Sequence, residues 1–125
     1  MIYNAIIHEP GVNVNGRYYS PKVCEQIAKQ LNGVLVFPDV KLGGKRDPKE
    51  AIGTVRYAEC DKNNRVVAVL DLNSTPLVMG LAINAVGRTH LEQQHGKQVT
   101  AIDEIGQIFS VDLTDEPASG DQILP

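Results

Sequence analysis

The stretch from Ala51 to Leu72 constrains the fold more than any other. Ala51 to Glu59 and Arg65 to Leu72 are two strand-like runs, and Asp61-Lys62-Asn63-Asn64 between them has the residue types of a tight turn. In the second run Val66, Ala68, Leu70 and Leu72 share one face, and the other face is also apolar for most of its length. A strand apolar on both sides belongs inside a sheet, so the spacing predicts an antiparallel hairpin whose second strand is central. Aromatic residues are scarce, with four Tyr, two Phe and no Trp, so Val, Ile and Leu must fill the core. Branched side chains of that kind suit pleated surfaces.

Other segments add elements around this hairpin. Ile2 to Ile7 reads as a first strand closed by His8-Glu9-Pro10-Gly11, with His8 at the strand end. Asn15-Gly16 supplies a tight turn, two tyrosines follow, and Ser20-Pro21 has the form of an N-cap and first helical residue. The helix it opens runs to Leu31, with Val23, Ile27 and Leu31 on one stripe and Gly33 as its C-terminal cap. Val34 to Phe37 reads as a buried strand, and the loop from Pro38 to Glu50 is long enough to be functional or mobile. Ser74-Thr75-Pro76 repeats the helix-start pattern, so a second helix is expected from Leu77 to Val86 with Gly87 as its cap. Arg88 to Lys97 is polar and reads as a loop or one helical turn. Gln98 to Ile102 and Gln107 to Leu113 read as two strands joined around Glu104 to Gly106, the second half-buried with Ser110 and Asp112 on its wet face. One domain over residues 1–113 and an extended, acidic tail over 114–125 are expected.

The net charge is -3, and the twelve Lys and Arg are scattered, which argues against nucleic acid as a partner. No apolar run reaches the ~18 residues of a membrane span, and no targeting segment is evident, so a soluble protein with no membrane partner is expected. Cys24 and Cys60 lie far apart with no metal-ligand spacing, which suits free thiols in a reducing compartment.

Spacing alone brings out no catalytic constellation. His90 and His95 are five residues apart, off the spacing that places two imidazoles on one helical face, so no metal site is expected. No serine sits in a Gly-x-Ser-x-Gly elbow, and Asp39, Asp47, Glu50, Asp71, Asp103, Glu104 and Asp112 read as solvated carboxylates. Gly43-Gly44-Lys45 lacks the rest of a phosphate-binding pattern, and no cofactor is expected.

The order of pieces is more telling than any one of them. Asn15-Gly16-Arg17-x-Tyr19-x-Pro21 is followed by the buried strand, Asp47-Pro48-Lys49-Glu50-Ala51-Ile52-Gly53-x-Val55, a hairpin and Ser74-Thr75-Pro76. The run ends with Phe109-Ser110-Val111-Asp112-Leu113-x-x-x-Pro117-Ala118. This order resembles the prohead (head maturation) proteases of tailed phages from about residue 1 to about residue 118. The resemblance implies an α+β fold, a compact β-barrel with two or three flanking helices like that of the herpesvirus assemblins. It also implies a catalytic histidine within Phe37 to Lys41 and a nucleophilic serine within Arg88 to Thr100, and this chain has neither. A displaced catalytic pair would have to draw Thr89 or Thr100 as nucleophile and His90 or His95 as base. The expectation is therefore a non-catalytic phage-head protein, a structural, decorating or scaffold-associated component, with an active prohead maturation protease as the alternative. Its implied partner is a phage major capsid or scaffolding protein, or further copies of itself. Its implied location is the host cytoplasm during assembly or the virion capsid.

Overall fold

The computed structural model of the chain describes residues 1–41 and 44–124. Its strands are β1 (Ile2–His8), β2 (Gly11–Val12), β3 (Arg17–Tyr19), β4 (Leu35–Phe37), β5 (Gly53–Cys60), β6 (Val66–Leu72), β7 (Gly80–Gln94), β8 (Lys97–Thr114) and β9 (Gln122–Ile123). Among the described residues there is one α-helix, α1 (Pro21–Gln30), and one 3-10 turn at Pro48–Glu50. The pairing order β8-β4-β5-β6-β1-β9-β7 closes on itself through β7 and β8, which makes a β-barrel, and the β2–β3 hairpin is appended to β8.

The hairpin that dominates the sequence is present. β5 and β6 pair antiparallel from Gly53↔Leu72 to Cys60↔Val66, and β6 pairs with β1 on its other side. Asp61 organises the turn: its carboxylate accepts from the N–H groups of Asn63 and Arg65 at 2.9 Å each and from the Arg65 side chain at 2.8 Å. Val66, Ala68, Leu70 and Leu72 are all buried, as their shared face requires. The first helix also forms as its sequence demands, with Ser20 Oγ accepting the Val23 N–H at 3.2 Å and Pro21 at the first helical position. Its apolar stripe packs against β8, β5 and β6. Two residues of its polar side reach β8 as well: Gln26 accepts from the Ile105 N–H at 3.1 Å, and Gln30 donates to the Ile105 carbonyl at 3.2 Å.

The corner after β2 is a β-turn between β2 and β3. Asn13 Oδ1 accepts the N–H groups of Asn15 and Arg17, and Gly16 takes a φ of 73° that a residue with a Cβ adopts only under strain. The Gly16 carbonyl accepts the Thr100 N–H at 2.9 Å, which ties the corner to β8.

The expectation of two or three flanking helices is corrected to a single α-helix. Residues 77–86 have no helix, and from Gly80 onward every residue of β7 pairs with β8. The four-residue spacing of Leu77, Leu81 and Ala85 fits a strand as well as a helix, because four is a multiple of the strand period of two. Long-range pairing decides between them. Gly87 is accordingly a mid-strand residue and not a helix cap, where a Cβ would overlap the Glu104 carbonyl. The stretch Arg88 to Lys97 is no loop either. It is the outer half of a ribbon turned by His95 and Gly96, with φ of 52° and 78°.

The two strands expected on either side of Glu104 to Gly106 are one strand, β8, and its register against β7 shifts three times. At each shift β8 has one extra residue, at Phe109, Gly106 and Asp103, and such bulges bend and twist a ribbon. The segment after Thr114 runs through bends into a strand of the barrel wall. Its β9 pairs with both β1 and β7, and Asp121 and Ile123 are buried.

The buried face of β6 carries much of the core. Leu70→Ala is expected to destabilise the protein by about 2–5 kcal/mol, whereas Leu91→Ala, on the exposed ribbon, is expected to stay within about 0.5 kcal/mol. Urea unfolding of the two variants measures both.

Candidate functional site

Two buried polar groups meet at one cleft of about 680 Å³, bounded by the Asn13–Tyr19 corner, the inner half of β7 and the segment 114–121. The first group comes from the loop after β4. Arg46, its side chain only 4% exposed, donates through Nη1 to Asp112 Oδ1 at 3.0 Å and to the Asp39 carbonyl at 3.1 Å, and through Nη2 to Asp39 Oδ1 at 2.6 Å. Its guanidinium also lies 4.3 Å from the centre of the Phe37 ring. Asp112 accepts two further bonds, from Ser110 Oγ at 2.7 Å and the Lys41 N–H at 3.3 Å. Burial pushes its carboxyl above the usual range, and the hydroxyl, the amide and the guanidinium pull it back.

Asp112 and Ser110 are therefore not on a wet face, as alternation with Phe109, Val111 and Leu113 suggests. Asp39, Lys41 and Arg46 of the loop after β4 cover that face, and Asn84 adds a bond to the Gly44 carbonyl at 3.0 Å. These bonds tie the loop's described residues to β7 and β8. Gly43 of the Gly43-Gly44-Lys45 run lies outside the described residues.

The second group joins the two ends of the chain. His8 Nδ1 lies 3.7 Å from Asp121 Oδ2, both side chains are almost completely buried, and Ser119 Oγ donates to Asp121 Oδ1 at 2.7 Å. Tyr19 packs edge-on against the imidazole with ring centres 4.0 Å apart. His8 Nε2 is buried and has no hydrogen-bond partner. Burial drives His8 down to about 4 and Asp121 up to about 7, so both favour their neutral forms. The serine here bonds to the carboxylate and not to the imidazole, so the arrangement lacks an activated nucleophile.

The residues singled out from the sequence lie elsewhere. Thr89 and Thr100 line a second hollow of about 310 Å³, together with Arg17, Tyr19 and apolar residues of α1, β7 and β8. His90 is half-exposed, with Nδ1 2.5 Å from Asp103 Oδ1 and Nε2 3.5 Å from Glu92 Oε1. His95 sits in the ribbon turn. Among the described residues no hydrogen bond joins Thr89 or Thr100 to His90 or His95, and the imidazole of His90 is engaged by carboxylates. Cys24 is buried and Cys60 half-buried, both as free thiols, and burial pushes Cys24 up to about 12. Among the described residues no three His, Cys, Asp or Glu are placed to hold a metal ion, and no helix is long and apolar enough to cross a membrane.

No local signal marks His8 or Asp121. The first ends an apolar strand and the second lies in a polar segment, and only the pairing of β9 with β1 brings them together. The fold and this cleft define a mostly β barrel with one helix. No protein-family model matches the chain, and neither a curated protein nor a solved structure is significantly similar to it.

Two outcomes follow from these burials. Arg46→Met leaves Asp112 buried without its counter-ion and is expected to cost about 3–5 kcal/mol in urea unfolding. The His8–Asp121 pair has a pH signature. His8 contributes stability that is complete above 6.5 and lost as pH falls through about 4. Asp121 contributes stability that is complete below 3.8 and lost as pH rises through about 7. Over the shared window the two slopes oppose each other. Urea unfolding of Asp121→Asn should lose stability on acidification from 6.5 to about 4, and that of His8→Phe should lose it as pH rises from 3.8 to about 7. Equal slopes in the two variants would contradict the neutral pair.

Proposed function

We propose that this chain is a non-catalytic component of a phage head, a structural, decorating or scaffold-associated protein with a prohead-protease-like, assemblin-like barrel. Its partner is the phage major capsid or scaffolding protein, and its place is the assembling head or the capsid itself.

The observation that carries this reading is the outer half of the β7–β8 ribbon. From Val86 outward most residues of β7 are exposed, and Leu91 is 66% exposed. Both strands continue to the turn at His95–Gly96, with β8 burying Val99, Ala101 and Ile102 on its inner face while the β7 side of the ribbon stays exposed. That outer stretch of β7 adds little core to its own domain, and it offers a partner apolar, charged and imidazole groups together. An active maturation protease would instead need an imidazole within about 2.6–3.2 Å of a hydroxyl, and neither threonine in the region has such a bond.

The test is the protein's presence in heads purified before and after maturation from the phage whose genome encodes it. A fixed copy number in mature heads is expected, measured by quantitative mass spectrometry. Absence from both forms of the head would refute the proposal. So would cleavage of the scaffold or capsid protein by the purified chain that is lost in Thr100→Ala or His90→Ala.

A further inference from the structure

The barrel closes weakly at one seam. β9 meets β7 at one registered pair, Gly80↔Gln122, and the Leu81 N–H donates to the Asp121 carbonyl at 3.0 Å. Beyond Leu81, no strand among the described residues pairs with that edge of β7, although its other edge is paired with β8 throughout. The segment leading into β9 passes the corner first, where the Ala118 carbonyl accepts the Val14 N–H at 3.0 Å, and meets the β7 edge only from Asp121 onward. The cleft lies between that segment and the open edge, and it is lined by Ala82, Ile83, Asn84 and Ala85 of β7.

Backbone groups on a strand alternate in direction, so the N–H and C=O of Ile83 face the same way as those of Leu81, into the cleft. A second observation points to an occupant. His8 lines the cleft with a side chain 7% exposed, and its Nε2 is a buried polar atom without a partner. Arg17 lines both hollows beside the Tyr19 hydroxyl, which its charge and hydrogen bond act on, and has no salt bridge among the described residues; Lys41 also lines the larger hollow. An open strand edge offers donors and acceptors in the spacing of another backbone. Asp112, Glu116 and Asp121 line the larger hollow too, but Arg46 binds Asp112 and Ser119 binds Asp121, whereas Arg17 also faces the smaller hollow, whose lining has no carboxylate, so a carboxylate is best placed beside Arg17.

We propose that this edge of β7 takes an extended segment of another protein chain by strand addition, with a carboxylate side chain of that segment held by Arg17. The phage-head reading is not needed for it: the edge can fail to bind peptide while the protein still resides in heads, and the reverse.

The probe is the blocked pentapeptide Ac-Thr-Val-Glu-Val-Thr-NH2, titrated into the full-length 15N-labelled protein. The expected result is a set of saturable NMR shifts at the amides of Ile83, Asn84 and Ala85 and at the His8 imidazole. Replacing the glutamate by glutamine should weaken binding about tenfold, and Arg17→Gln should remove the difference between the two peptides. The same peptide methylated on alternate backbone nitrogens keeps every side chain and should not bind. The absence of saturable shifts on β7 would overturn the proposal, and so would undiminished binding of the methylated peptide, which would mark an ionic surface contact.

Discussion

The ladder between β7 and β8 is the interaction on which the rest of the molecule depends. All of β7 pairs with β8, and the barrel closes only because the two meet. β8 then serves two more strands, since β3 pairs with it in parallel at Thr100 and Ala101, and β4 does so at Val111 and Asp112. The helix α1 connects β3 to β4, and both of these strands pair with β8. Three bulges on β8 let so long a ribbon curl, and at one of them Gln26 and Gln30 of α1 satisfy the backbone groups of Ile105.

The two buried polar groups at the cleft obey opposite electrostatic logic. Arg46 and Asp112 lie deep in the protein, and hydrogen bonds from an amide, a hydroxyl and a guanidinium surround the carboxylate. Such a pair specifies the path of loop 38–50 more than it adds net stability, because desolvating two charges offsets much of their attraction. His8 and Asp121 have fewer partners, and burial favours the neutral form of each, His8 charging only near 4 and Asp121 only near 7. Their pairing joins β1 to the segment leading into β9 where the barrel is least covered.

That weak seam bears on function. β9 has two residues, and its ladder to β7 is the single registered pair Gly80↔Gln122. The cleft beside it contains a buried imidazole with no nucleophile, and the exposed ribbon contains hydroxyls whose neighbouring imidazole is engaged by Asp103 and Glu92.

Much of this was determined by the sequence alone. The Asp61 turn, the buried face of β6 and the Ser20–Pro21 helix start are local patterns, and local hydrogen bonds and periodicity suffice to specify them. The His95–Gly96 turn also left a trace, since Gly allows positive φ, yet the polar residues around it gave no strand periodicity. The tertiary structure decided the rest. Leu77 to Ala85 has a spacing common to helix and strand, and only pairing with β8 chooses the strand. Asp112 and Ser110 occupy the polar positions of an alternating strand and are buried because a loop some 65 residues earlier folds over them, bringing Arg46 to Asp112. His8 and Asp121 become neighbours through β9, at opposite ends of the chain. Propensity and periodicity act over a few residues, whereas burial and charge pairing depend on which distant segments the closed barrel brings into contact.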